Sequence, residues 1–126
     1  MSAIKNEIKA CMSDLKISKD GVLTADFCFS ETFIGFKGHF PGKPILPGVC
    51  KIQAVLLMFE EFKKKNILLK EIALAKFFSP VSYNEKITFN LGEKLELNGE
   101  ISVKATITGK DRKVAELHLR VAIIGK

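Results

Sequence analysis

The sequence has no tryptophan, a single tyrosine, only three cysteines and no long apolar run. An odd number of widely spaced cysteines forms neither a disulfide framework nor a CxxC zinc motif, so a reducing, cytoplasmic setting is expected. Without a stretch of about 18 apolar residues, no transmembrane helix is expected. Charged residues near the N-terminus, Lys5 and Glu7 among them, are not typical of a secretory leader, so none is expected there.

Phenylalanine is abundant by contrast, with ten copies in 126 residues, and the mean hydropathy is +0.15. Phenylalanine buries a large area without a polar group that needs a partner. A chain of this length predicts one domain spanning residues 1–126. So much apolar surface on a small domain predicts an oligomer or a binding site for an apolar ligand.

The net charge of +6 is compatible with an acidic partner. The basic residues are scattered, however, and the run Lys63-Lys64-Lys65 falls at the end of a predicted helix, where lysine favours the helix dipole. Nucleic acid binding is therefore not expected. An acidic protein remains an open possibility as partner.

Hydrophobic spacing predicts an amphipathic helix or turn over residues 3–15 and a long, almost wholly apolar helix from Val49 to about Lys65. Alternating residues predict strands at about 23–29, 71–78, 85–91, 99–109 and 113–124, with a hairpin turn over Gly109–Arg112. A sheet with one apolar face has to bury that face against another element. The prediction is an α+β fold in which an antiparallel sheet wraps one central helix.

Residues 38–49, GHFPGKPILPGV, form a stiff but apolar loop that leads into the central helix. A neutral His39 in such a setting could act as a general base near pH 7. Gly48 opens the helix, where free amides suit an oxygen that gains negative charge. Spacing alone leaves the alternative open that His39 is only hydrogen-bonded to the backbone.

The same string resembles the active-site loop of the hot-dog-fold 3-hydroxyacyl-[acyl-carrier-protein] dehydratases, FabZ-like and FabA-like, as does AKFFSPV at residues 75–81. The resemblance spans roughly residues 20–124. It implies that His39 removes the C2 proton of a 3-hydroxyacyl thioester and that the Gly48 amide polarises the thioester carbonyl. It also implies a substrate on an acidic acyl carrier protein, which the positive charge suits.

The resemblance further implies a homodimer, with higher assemblies of dimers in some members, and sites at the subunit interface. No metal, organic cofactor, nucleic acid or membrane is implied. An apolar tunnel would hold the acyl chain. The residues expected to contact substrate are Phe33, Phe36, Phe40, Pro47, Val49 and Phe77. For the first three of these, packing in the core is the open alternative.

Position 53 departs from the family pattern. The resembling dehydratases have a glutamate or aspartate there, which comes from the partner subunit and protonates the leaving hydroxyl, whereas this chain has Gln53. An amide can orient water but cannot supply a proton at neutral pH. Glu60 and Glu61 lie about 10–12 Å further along the helix. Glu31 precedes the loop, and nothing in the sequence favours it as a substitute.

Three functions therefore remain open at this stage. The first is dehydration, assisted by Gln53 or water; the second is acyl or carrier-protein binding without catalysis; the third is thioester hydrolysis.

Among the remaining polar residues, Lys51 is expected to extend its ammonium to water at the rim. Cys50 is expected to be packing, with a thiol activated by the helix start as the alternative. His118 is expected to be a solvated strand residue and Tyr83 a rim residue.

Overall fold

The computed structural model describes residues 3–36 and 45–124, so His39 and Phe40 lie outside the described part. The helices are α1 (Ala3–Ala10), a 3-10 turn (Ile34–Phe36) and α2 (Gly48–Lys63). The strands are β1 (Met12–Ile17), β2 (Leu23–Cys28), β3 (Ile67–Phe77), β4 (Lys86–Leu95), β5 (Ile101–Gly109) and β6 (Arg112–Ile123).

The strands form one antiparallel sheet in the order β1-β2-β4-β5-β6-β3. Side chains alternate between its two faces, as in β5, where Ile101, Val103, Ala105 and Ile107 are buried and the residues between them are not. The buried face of the sheet and the apolar residues of α2 belong to one core cluster. This architecture confirms the predicted hot-dog-type α+β fold.

The central helix α2 begins after Pro47, which has extended backbone angles, and ends at Lys64 in the left-handed conformation. The Lys64 amide donates to the Glu60 carbonyl (2.9 Å), which closes the last turn. Nearly every residue from Cys50 to Phe59 is buried, as the apolar composition predicts. No helix in residues 3–36 and 45–124 has the length and apolar character that a membrane span requires.

The N-terminal prediction was wrong beyond Ala10, because residues 12–17 form the edge strand β1 rather than more helix. A break in the pairing between Ser13 and Lys16, where Asp14 has a φ of 56°, shifts the strand by a residue. Such a bulge removes the two-residue alternation that identifies a strand. Met12 and Leu15 consequently have the three-residue spacing typical of a helix turn.

Strand β3 begins at Ile67, four residues earlier than predicted. Its register on β6 is irregular at two places, between Leu69 and Glu71 and between Ile72 and Leu74. Both irregularities disturb the alternation on which the sequence prediction relied. The hairpin between β5 and β6 is as predicted, with its turn at Lys110 and Asp111.

Candidate active site

The start of α2 is held in place by the segment before it. The Leu46 amide donates to the Val81 carbonyl (2.8 Å), which ties residues 45–47 to the loop that follows β3. Pro47 has no side-chain acceptor for the first-turn amides, and no described acceptor lies within hydrogen-bond reach of the Gly48 amide. This N–H is therefore available to donate to a ligand oxygen, and its role at a site stays a prediction.

Phe77, the last residue of β3, packs its ring on the start of α2. A β-carbon placed on Gly48 would lie 2.8 Å from Cζ of Phe77 and 3.2 Å from its Cε2, closer than real side chains approach. The ring is nonetheless 48% exposed. Glycine at position 48 is therefore what allows an accessible aromatic ring to lie against the free amide.

Substituting Gly48 by alanine is expected to lower kcat/KM for the substrate at least about tenfold, while the free energy of unfolding changes by less than about 1 kcal/mol. The half-exposed Phe77 ring can swing away, so the fold survives while the surroundings of the amide change. Gly92→Ala is the matched control, because a β-carbon there meets nothing within 4 Å. Steady-state kinetics and urea unfolding of both variants test this, and equal kinetics would refute it.

Lys51 does not extend to water, so the prediction of a rim position was wrong. Its side chain is only 3% exposed, although its charge would favour solvent. The ammonium Nζ donates to the Leu46 carbonyl oxygen (3.3 Å) and lies 5.0 Å from the centroid of the Phe77 ring. The ring and the 45–47 segment thus enclose the ammonium beside the helix start. Burial lowers the pKa of Lys51 from its ordinary value, and the neighbouring Cys50 opposes this in part.

Cys50 is buried, and burial raises the pKa of its thiol, while Lys51 acts in the opposite direction. A raised pKa keeps the sulfur protonated near neutral pH, which makes it a poor nucleophile. The structure therefore favours the packing interpretation of Cys50 over an activated thiol.

Gln53 lies one helical turn after Val49, on the same side of α2. Val49 is 61% exposed and Gln53 is partly buried. At about 100° per residue, Gln53 and Lys51 differ by about 200° around the helix. Within one chain, then, Gln53 is not brought together with Lys51.

The carboxylates considered as substitutes for an acid at position 53 are engaged elsewhere or exposed. Glu60 pairs with Lys5 of α1 and also accepts from the Ile67 amide (3.2 Å). Glu61 pairs with Lys9 of α1 (3.2 Å). Glu31 is exposed in the turn after β2. None of these three described carboxylates has a contact that directs it towards Gly48.

Phe33 and Phe36 are buried in a chain of aromatic contacts. Ring centroids are 4.8 Å apart for Phe29 and Phe33, 5.9 Å for Phe33 and Phe36, and 6.3 Å for Phe36 and the half-exposed Tyr83. This burial favours core packing for both phenylalanines. Tyr83 lies at the rim, as predicted. Pro47 is partly buried, and the placement of Phe40 lies outside the described residues.

His118 lies at an outward-facing position of β6, where the alternation placed it. Its Nε2 is 3.1 Å from a carboxylate oxygen of Glu116, and this hydrogen bond is the main cause of a lowered pKa for Glu116. Sequence reasoning missed the enclosure of Lys51. The one signal for it was a lysine three residues after Gly48, in the first turn of an otherwise apolar helix.

Comparison with known protein families decides the relationship. Residues 15–116 match the ApeI-like family model, described as ApeI dehydratase. The chain belongs to the ApeI-like dehydratase family. It also resembles named 3-hydroxyacyl-[acyl-carrier-protein] dehydratases FabZ: that of Clostridium botulinum is 30% identical over 122 residues, covering 91% of this chain and 83% of the relative. That of Nitratiruptor sp. is 36% identical over 107 residues, covering 72% and 70%.

The solved dehydratase heterocomplex ApeI:P of Xenorhabdus doucetiae superposes with a TM-score of 0.72. The match covers 88% of this ApeI-like chain and 96% of that one at 17% identity, and shows that the fold is shared. Family and relatives together confirm the predicted hot-dog dehydratase identity, and the enzyme class is that of a dehydratase-like lyase.

Proposed function

We propose that this protein removes water from 3-hydroxyacyl thioesters carried on acyl carrier protein and yields trans-2-enoyl thioesters. The observation that supports this most is the free Gly48 amide at the start of α2, beside the accessible Phe77 ring, in a chain of the dehydratase family. A helix N-terminus stabilises an oxygen that becomes negative during proton abstraction.

The proposed elimination is a pair of proton transfers. His39 takes the proton from C2, the electrons of that C–H bond form the C2–C3 double bond, and the C3–O bond breaks as the hydroxyl takes up a proton, delivered by an acid or by solvent, and leaves as water. The Gly48 amide stabilises the negative thioester oxygen in between. The acyl chain follows the exposed Val49 and Phe77 beside Pro47, with Phe40 proposed as a further contact from the sequence alone. Proton transfers alone complete this reaction, so the proposal includes no cofactor.

Mass spectrometry of the carrier protein tests the proposal. Purified protein is incubated with 3-hydroxyacyl carrier protein, and the acyl-carrier mass is expected to fall by one water. Release of the free carrier thiol would instead indicate hydrolysis. An intact substrate after prolonged incubation with folded protein would refute the dehydratase proposal and favour acyl binding without catalysis.

We propose further that a second copy of the chain pairs along β3. This edge strand is largely apolar, yet Ile67 is its one buried residue. Leu68, Ile72 and Phe77 are each nearly half exposed, and Phe78 directly follows. An apolar edge strand with unpaired backbone groups favours association with another strand. Higher assemblies of the pair stay a prediction.

Ile72→Lys is expected to convert the dimer to a monomer at micromolar concentration, since a charge would then be buried in the strand-to-strand contact. Sedimentation velocity measures the shift. Leu97→Lys is the control, because Leu97 is fully exposed on the turn after β4, which is an inner strand of the sheet rather than an edge. A monomeric wild type, or an unchanged dimer in the Ile72 variant, would contradict the β3 interface.

The net charge supports an acidic carrier protein as the partner, and the cysteines support a cytoplasmic location. A net charge of +6 favours an acidic carrier protein through electrostatic complementarity. Cys11, Cys28 and Cys50 are all free thiols, as expected in a reducing, cytoplasmic compartment.

A further inference from the structure

Lys51 is the one buried charged side chain among residues 3–36 and 45–124. Two physical effects oppose a cation at this position. Removing an ammonium from water is costly, and the N-terminal end of a helix repels positive charge. A residue held against both effects is a candidate for function rather than stability.

The groups that face the Lys51 ammonium compensate only part of the free-energy cost of burying it. From the segment before α2 it meets the Leu46 carbonyl, from β3 the uncharged ring of Phe77, and on its own helix the neighbouring thiol of Cys50. No carboxylate of the described residues lies within ion-pair distance. The ammonium is thus buried without a counterion.

The position of Lys51 relates it directly to the site. It follows Gly48 by three residues, so both lie on the same side of the helix, and a helical side chain leans towards the N-terminus. The Phe77 ring contacts both residues: it packs on Gly48 and lies beneath the ammonium of Lys51. The cation and the free amide therefore border the same small region.

The proposed reaction lacks a proton donor at the position where the resembling enzymes have one. Gln53 is an amide and cannot supply a proton. Glu60 and Glu61 are paired with lysines of α1. An ammonium, in contrast, has three protons to donate.

We propose that Lys51 is the general acid of the dehydration, an inference that rests on the proposed function. The Nζ ammonium donates a proton to the C3 hydroxyl as the C3–O bond breaks, and water leaves. His39 receives the C2 proton in the same elimination. His39 then releases the C2 proton to solvent, and the neutral amine of Lys51 takes up a proton from solvent. Both residues return to their starting states, so no other reactant is consumed.

Lys51→Met is expected to lower kcat about 10²–10⁴-fold, the usual contribution of a positioned acid. Lys63→Met is the matched control, because Lys63 also lies over a ring, that of Phe59 at 5.8 Å, but at the far end of α2 and paired with Glu93. Lys51→Arg retains the charge but gives up no proton, so it should be as slow as Lys51→Met. A fast arginine variant would overturn the assignment.

Thermal unfolding provides a readout that does not depend on turnover. Because the folded pKa of Lys51 is lowered, the unfolded state binds more protons between that pKa and the ordinary one, and wild-type stability should rise with pH there. Lys51→Met should unfold at a higher temperature at pH 7 and lose that alkaline rise. A lower unfolding temperature would indicate a structural role and overturn the proposal.

Restoring a carboxylate tests the chemistry itself. Adding Gln53→Glu to Lys51→Met is expected to recover at least about tenfold of the lost rate, because in the resembling dimers a carboxylate at position 53 reaches the site from the partner subunit and can supply the missing proton. If wild type is active and Lys51→Met is equally active, the Lys51 proposal fails while the proposed function stands. If wild type produces no enoyl thioester, the proposed function fails and a catalytic Lys51 fails with it.

Discussion

Replacing His39 by alanine is expected to lower kcat/KM for 3-hydroxyacyl carrier protein about 10²–10⁴-fold, the usual loss when a general base is removed. In wild type, the rate should fall as the pH is lowered from neutral to acidic, because only the neutral imidazole can accept the C2 proton. This acidic limb should be absent in the variant. Steady-state rates of enoyl formation across that pH range measure both effects.

His118→Ala is the matched control, because His118 is the other of the two histidines in the chain. It lies on the outward face of β6 beside Glu116, and the proposed reaction does not use it. Its removal should leave the rate and the acidic limb unchanged. An active His39→Ala protein, or an acidic limb that disappears with His118, would contradict the assignment of the base.

Phe27→Ala is expected to lower the free energy of unfolding by about 3–5 kcal/mol, a large part of the about 5–15 kcal/mol typical of a folded domain. Phe27 is fully buried in β2, 4.8 Å from the Phe89 ring and 5.9 Å from the Phe29 ring, measured between centroids. Alanine would leave a cavity where the sheet packs on the core. Urea unfolding followed by circular dichroism measures the loss.

Leu97→Ala is the control for this loss, since Leu97 is fully exposed and its removal should change the unfolding free energy by less than about 0.5 kcal/mol. The unfolding free energy of Phe27→Ala is also measured in the Ile72→Lys background, where no dimer is expected. The loss of core packing is then separated from any effect of dimer formation on stability. A Phe27→Ala loss below about 1 kcal/mol would mean that the aromatic cluster around β2 contributes little to stability.

The regular elements were predictable because their signals are local. The buried helix from about Val49, the strands around Ile101–Ile107 and 113–123, and the turn at Lys110 and Asp111 all follow from periodicity and turn chemistry over a few residues. The elements that the sequence did not predict are those whose strand pairing is irregular. The bulge at Asp14 disturbed the alternation of β1, and the irregular pairing between Leu69 and Glu71 disturbed that of the first residues of β3.

The sequence alone determined the loop motif and the family resemblance, because a dense pattern of glycine and proline at fixed spacing is specific. The site positions His39, Gly48 and Gln53 stay predictions that follow from that resemblance. Only the tertiary structure decided the environment of the charged and polar groups. Lys51 was predicted to extend to solvent, yet the Phe77 ring and the Leu46 carbonyl enclose it. Burial depends on elements distant in sequence, here β3 and α2, which no local pattern brings together.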